Sequence, residues 1–204
     1  AETKQFLSDR VWIVDPLDGT KEFLRGSKNF CVLIGLIENH RPILGVIYKP
    51  TSRECWFAQS GCGAYKQIKS SPPIPIRVSS ISIAKNMALV TGPTAAHYKR
   101  IEKIANKIGL QKITKLGSGG IKMAFVAEGI FDLYFTLRKN ISEWDICAPE
   151  IILSEAGGQM TDIQGKTFLY NQKDVSRPTG LIASNGKIHN KIVTTILKII
   201  NQAA

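Results

Sequence analysis

The sequence predicts a mixed α/β (α+β) fold in which sheets and helices stack as layers. Three observations carry this. Residues 1–75 are dominated by paired apolar, β-branched runs, and residues 76–204 alternate strand-like with helix-like segments. The Pro- and Ser-rich stretch "SSPPIPI" lies between them and is the most loop-like in the chain. Hairpins in one half and alternation in the other call for separate sheets with helices packed against them. We therefore expect a first subdomain over 1–75 and a second over 76–204. A chain of 204 residues can bury one good core, or two small ones packed together.

The elements follow in order. "RVWIVD" is a short β-prone run. "FCVLIGLIE" and "PILGVIYKP", joined by "NHR", read as a hairpin, and "ECWFAQSGCGAYK" as a second one turning at Gly61 and Gly63. "NMALVTG" is a strand. The next segment carries Ile101, Ile104, Ala105 and Ile108 on one face and closes at Gly109, which predicts a helix. "KITKLG" is a strand, "IKMAFVAEG" a helix and "FDLYFTL" a strand. "DICAPEIILSEAGG" is a helix capped by Asp145, with Pro149 in its first turn and Gly157-Gly158 as its stop. "PTGLIASN" is a strand, and "IVTTILKIIN" belongs to an amphipathic docking helix.

Composition narrows the function classes. A hydrophobic fraction of 44% with 21% charged residues is ordinary for a globular protein. No apolar run approaches the ~20 residues that span a bilayer, and the N-terminus does not resemble a signal peptide. The net charge of +11 invites a nucleic-acid reading, but no block of like charge and no basic–aromatic ladder supports it. An AT-rich coding bias accounts for the lysine excess, and attraction to a multiply charged anion is the alternative. Cys31, Cys55, Cys62 and Cys147 lack metal-site spacing and read as reduced thiols. His40, His97 and His189 are scattered, which argues against zinc. A cytoplasmic protein is expected, with peripheral attachment at an inner membrane as the alternative.

The stretch "VDPLDGTKEF" carries the chemistry. Pro16 fixes φ and ends the strand, so Asp15 and Asp18 project at its C-terminal edge. Gly19 lets the backbone approach a ligand and Thr20 adds a hydroxyl. Two ionised carboxylates this close repel unless a cation or shared proton compensates. Hard oxygen donors point to Mg²⁺. Taken alone, the pair also fits a turn with Asx hydrogen bonding. Asp145 of "EWDICAPE" is a third candidate, and alone it also fits a plain helix cap.

"DPLDGTKEF" followed by "WDICAPE" resembles the Mg²⁺-dependent, lithium-sensitive phosphatase superfamily that includes inositol monophosphatase and fructose-1,6-bisphosphatase. Within it the chain looks most like the 3'(2'),5'-bisphosphate nucleotidases of the bacterial CysQ type. "GVIYKP", "VAEG" and "EAGG" also sit where family members have similar strings, so the resemblance covers essentially the whole chain. It implies a layered αβαβα sandwich with Asp15, Asp18 and Asp145 converging on one cleft. It further implies two or more Mg²⁺ ions. Asp15 would bridge two of them, Leu17 would offer its carbonyl to the first, and Asp18 and Asp145 would bind the second. Gly19 and Thr20 would contact the substrate phosphate, with Thr20 helping to orient the attacking water. Asp145 would also bind a substrate hydroxyl, and Gly120 and Lys122 would contact the substrate.

The chain departs from that pattern twice. Family members carry an upstream segment with amphipathic helices, a metal-binding Glu in a Glu-Glu pair and a water-activating Asp. This chain opens at Ala1, and Glu2 stands too near Asp15 to replace that Glu. The first subdomain is thus expected to be incomplete, and activity weak until the upstream segment is supplied. The second departure is "GSGGIK", where Gly119 and Gly120 replace a serine pair. Lys21-Glu22-Phe23 favours the nucleotidase branch, and so removal of the 3'-phosphate from 3'-phosphoadenosine 5'-phosphate to give AMP. An inositol-phosphate phosphatase and an inactive anion-binding remnant are the alternatives. The expected partner is a small phosphorylated nucleotide, without nucleic acid or stable membrane insertion. Oligomeric state is left open.

Overall fold

The computed structural model of the chain describes residues 8–202. Its first half is an antiparallel meander of six strands. These are β1 (Arg10–Asp18), β2 (Cys31–Glu38), β3 (Arg41–Lys49), β4 (Glu54–Gln59), β5 (Ala64–Ile68) and β6 (Ile74–Ile76). The one-turn helix α1 (Thr20–Leu24) follows β1 directly. Between β2 and β3 only Asn39 and His40 turn the chain, and both have positive φ. That backbone matches the right-handed strand twist. Strand β6 corrects the loop expectation for "SSPPIPI". Proline is tolerated there because β6 lies at the sheet edge, where half the ladder groups need no partner.

The second sheet has five strands in the order β11-β13-β9-β7-β8. Strands β7 (Ala88–Thr91), β8 (Lys112–Lys115) and β9 (Leu133–Thr136) are parallel. Parallel neighbours need crossovers, supplied by α2 (Ala95–Ile108) and α3 (Gly119–Ala127). Strands β11 (Gln159–Thr161) and β13 (Leu181–Ser184) complete it in antiparallel fashion. A separate two-stranded ribbon joins β10 (Ile141–Ser142) to β12 (Ser176–Arg177). Helix α4 (Glu143–Glu155) follows β10, and α5 (His189–Asn201) closes the described chain. The short strands β6, β10, β11 and β12 lack the length that makes a two-residue period visible in sequence.

Two cores separate the layers. One gathers Leu33, Ile47, Trp56, Ile121, Met123 and Ile152 around α3 and α4, between the two sheets. The other packs Leu89 and Phe135 under Ile101 of α2 and Ile196 of α5. The order is sheet, helices, sheet, helices, which is four layers of the expected αβαβα sandwich. Helix α4 lies close on the first sheet because β2 and β3 pair Gly35 with Gly45 beneath it. A Cβ at Gly45 would meet Ile151 at 2.5 Å and Ala148 at 2.6 Å, and one at Gly35 would strike Cys147. The opposite face of that sheet carries no helix among the described residues and leaves Trp12 58% and Val14 48% exposed.

Candidate active site

The strand ending in Asp15 and Asp18 and the helix carrying Asp145 converge. One ligand oxygen from each carboxylate lies within 4.8 Å of the others. Pro16 and Leu17 shift the β1–β2 register between Asp15 and Asp18, so both acids can serve one point. Asp15 Oδ1 accepts the Leu17 N–H at 2.9 Å, and the Leu17 carbonyl accepts the Thr20 hydroxyl at 3.1 Å. Glu2 lies outside the described residues.

Asp145 enters differently from its expected role as helix cap. Ser142 is the N-cap, and Asp145 reaches back from the third helical position to accept the Ser142 N–H at 2.7 Å. The helix therefore starts two residues before Asp145, and Pro149 falls in its second turn. Proline has no N–H to donate, so the carbonyl four residues earlier, that of Asp145, loses its helical partner. The neighbouring Glu143 anchors this helix start: it accepts the backbone N–H of Asn171 at 2.8 Å and of Gln172 at 3.0 Å, and pairs with Arg177.

Asp18 is the most constrained of the three. Gly120 N–H donates to its Oδ2 at 2.8 Å and Gly119 N–H to its Oδ1 at 3.3 Å. The Ser118 hydroxyl also donates to Oδ2, and Cys31 Sγ stands 3.5 Å away. The Gly120 N–H, on a residue expected to contact substrate, is turned to Asp18. A side chain there would meet Leu33 at 2.6 Å and Cys31 at 3.0 Å, so glycine is what lets the start of α3 approach the carboxylate.

Burial and mutual repulsion show in the titration of the acids. Burial, then the charges of Asp18 and Asp15, push the Asp145 carboxyl up to about 6, against the Ser142 N–H and Arg138. Asp15 is raised by burial and by Asp18, against the Leu17 N–H. A carboxylate cluster strained by desolvation and like charge is a site that a cation relieves. The donors are all hard oxygens in a small space, which fits Mg²⁺. The candidate holders are Asp15, Asp18, Asp145 and the Leu17 carbonyl.

A cavity of about 270 Å³ opens beside this cluster, and Asp18, Gly19, Thr20 and Asp145 line it. Lys122, Arg138 and His97 line it too, with the turn Gly92-Pro93-Thr94. Lys122 is buried, and its ammonium rests 4.7 Å from the centre of the Tyr134 ring. Burial lowers its pKa to about 8, opposed by Asp18 and Glu22, so it remains a cation at neutral pH. Burial and the cations Arg138, Lys122 and Arg100 hold His97 near 4, which keeps the imidazole neutral. Of Lys122, Arg138 and His97, sequence reasoning had singled out Lys122. Arg138 follows β9 and His97 lies in the first turn of α2, positions without a spacing signal, and Ser118 carries no signal of its own within "GSGGIK".

Comparison with known proteins follows this geometry. The family model described as "Inositol monophosphatase family" matches residues 2–201. The 3'(2'),5'-bisphosphate nucleotidase CysQ of Aggregatibacter actinomycetemcomitans is 34% identical over 80% of this chain. The chain spans 60% of that relative's length. The fructose-1,6-bisphosphatase/inositol-1-monophosphatase of Thermotoga maritima is also 34% identical, over 95% of this chain and 70% of its own. The solved structure of an IMPase from Thermotoga maritima superposes with a TM-score of 0.80 at 32% identity. It covers 97% of this chain and 72% of that one.

Proposed function

The chain belongs to the inositol monophosphatase family, and from the residues that line its cavity we propose that it is the phosphomonoesterase part of a 3'(2'),5'-bisphosphate nucleotidase. The reaction is removal of the 3'-phosphate from 3'-phosphoadenosine 5'-phosphate to give AMP. The observation that carries this is the presence, in one cavity, of two acids of the clustered trio, Asp18 and Asp145, together with the cations Lys122 and Arg138. A substrate with a single phosphate needs the first alone. A substrate with two phosphates presents a second anion, which Lys122 and Arg138 are placed to balance.

In this scheme Asp15, Asp18, Asp145 and the Leu17 carbonyl would hold the Mg²⁺ ions. When bound, the ions supply Lewis acidity and a nucleophilic water at neutral pH. Gly19 and Thr20 border the cluster and contact the phosphoryl group being transferred. The Thr20 hydroxyl, anchored on the Leu17 carbonyl, orients the attacking water. Asp145 receives a substrate hydroxyl as well as a cation. Lys122 and Gly120 contact the substrate, with the Gly120 N–H also donating to Asp18.

The second reading is an inositol-phosphate phosphatase, supported by the Thermotoga relative and by the inositol-1-monophosphatase of Bacillus subtilis at 31% identity. Phosphate release from both substrates with Mg²⁺ tests the choice. It should be measured on the 204-residue chain and on one extended at its N-terminus. Preference for the nucleotide supports the proposal, and equal or greater release from the inositol phosphate overturns it. Lithium inhibition of the measured release is also expected.

A further inference from the structure

Ser118 has φ +60° and ψ 129°, a backbone state that residues with side chains rarely occupy. The strain has a local use. From that conformation the Ser118 hydroxyl accepts the Ile121 N–H at 3.1 Å and donates its proton to Asp18 Oδ2. It thus ties the first turn of α3 to an acid 100 residues earlier. Oδ2 also takes the Gly120 N–H at 2.8 Å, with Cys31 Sγ at 3.5 Å. Among the described residues Oδ1 has only the long Gly119 contact of 3.3 Å. One carboxylate oxygen is therefore anchored and the other is left with most of its accepting capacity.

A hydroxyl that only capped α3 would not need this conformation, because serine caps helices from ordinary extended backbone. Groups that hydrogen-bond a metal-ligating carboxylate fix its orientation and commonly govern affinity tenfold or more. We infer that Ser118 is a positioning residue, held in a strained backbone so that its hydroxyl fixes Asp18 for cation binding. This rests on the proposed role of Asp18 as a cation ligand. The feature separates two quantities that usually move together: replacing Ser118 by glycine relieves backbone strain yet removes the hydroxyl.

The test is Mn²⁺ binding, followed by the electron paramagnetic resonance of the free ion, together with thermal melting in chelator. The 204-residue chain is compared with Ser118→Gly, Ser118→Ala and Asp18→Asn. Ser118→Gly is expected to melt higher than the unaltered chain in chelator but to bind Mn²⁺ about tenfold or more weakly. Ser118→Ala keeps the strain and should show the same loss of affinity without the gain in melting temperature. Affinity unchanged or improved in both Ser118 variants, with Asp18→Asn impaired, would overturn the positioning role and leave the ligand role of Asp18 standing. Mn²⁺ binding that is insensitive to Asp18→Asn, or absent from the unaltered chain, would remove both.

Discussion

The two charged sets of side chains at the site are built by opposite strategies. The anionic set takes its acids from β1 and α4, elements far apart in sequence, and places their oxygens within 4.8 Å of one another. It is a high-energy arrangement: Asp145 is pushed up to about 6 by burial and by its two neighbours. The cationic set instead disperses its charge. Lys122 leans on an aromatic ring, and His97 is kept neutral beside the cations. One set stores repulsion that a divalent ion can relieve, and the other offers charge without crowding. In the proposed function the acids serve the ion and the cations the substrate, with Asp18 acting on Lys122 and Arg138 on Asp145.

The largest effect is expected from Asp18→Asn. Its shape is kept while the charge that the start of α3 holds in place is lost. A fall of at least about a hundredfold in phosphate release corresponds to ~2.7 kcal/mol of barrier. Release rates near those of the unaltered protein would remove Asp18 from the site. Lys122→Met comes next and should act on the other set. KM for a doubly phosphorylated substrate should rise about tenfold or more, as expected on losing a charge-assisted contact. Mn²⁺ affinity should stay within roughly threefold, since Lys122 is not among the ion's proposed ligands. A parallel loss of ion affinity would mean that the two sets are not separable.

Asp145→Asn sharpens the comparison through stability. A carboxyl whose folded value of about 6 lies above its ordinary 3.8 destabilises the folded chain above pH 6. That penalty shrinks as the pH falls from about 6 towards 4. In chelator at pH 7 the Asn variant should therefore melt a few degrees higher than the unaltered chain, a gain that fades near pH 4. With Mg²⁺ added the order should reverse or close, because the variant has lost an ion ligand. An Asn variant that melts lower in chelator would show that Asp145 stabilises the cluster rather than straining it. The smallest effect is on pH dependence: Mg²⁺ affinity should weaken as the pH drops through about 6, as Asp145 takes up a proton. Titration calorimetry between pH 5 and 8 checks it, with flat affinity as the contrary result.

Much of this organisation is legible in the residues themselves. The alternation in "CVLIGLIE" matches a strand buried on one side, and Ile101, Ile104 and Ala105 do face the core from α2. Asp15 and Asp18 at a strand end could be matched with Asp145 at a helix start through the family resemblance of the two motifs that carry them. What stayed hidden depended on tertiary contact. Ser142 took the cap because β10 pairs with β12 and delivers it there, which moved Asp145 inward along the helix. The N–H groups of Gly119 and Gly120 reach Asp18, a partner that no local pattern in "GSGGIK" reveals. Trp12 and Val14 alternate as half-buried strand residues should, yet the face they line is open among the described residues.

The central claim is that Asp15, Asp18 and Asp145 form one cation site. Crystals of the chain soaked in Mn²⁺ and measured at the manganese absorption edge test it most directly, because anomalous peaks locate the ion without reference to activity. The account predicts at least one peak inside the trio, within coordination distance of Asp18 and Asp145. Saturating Mn²⁺ that leaves the trio empty, or that binds only elsewhere on the chain, would contradict it.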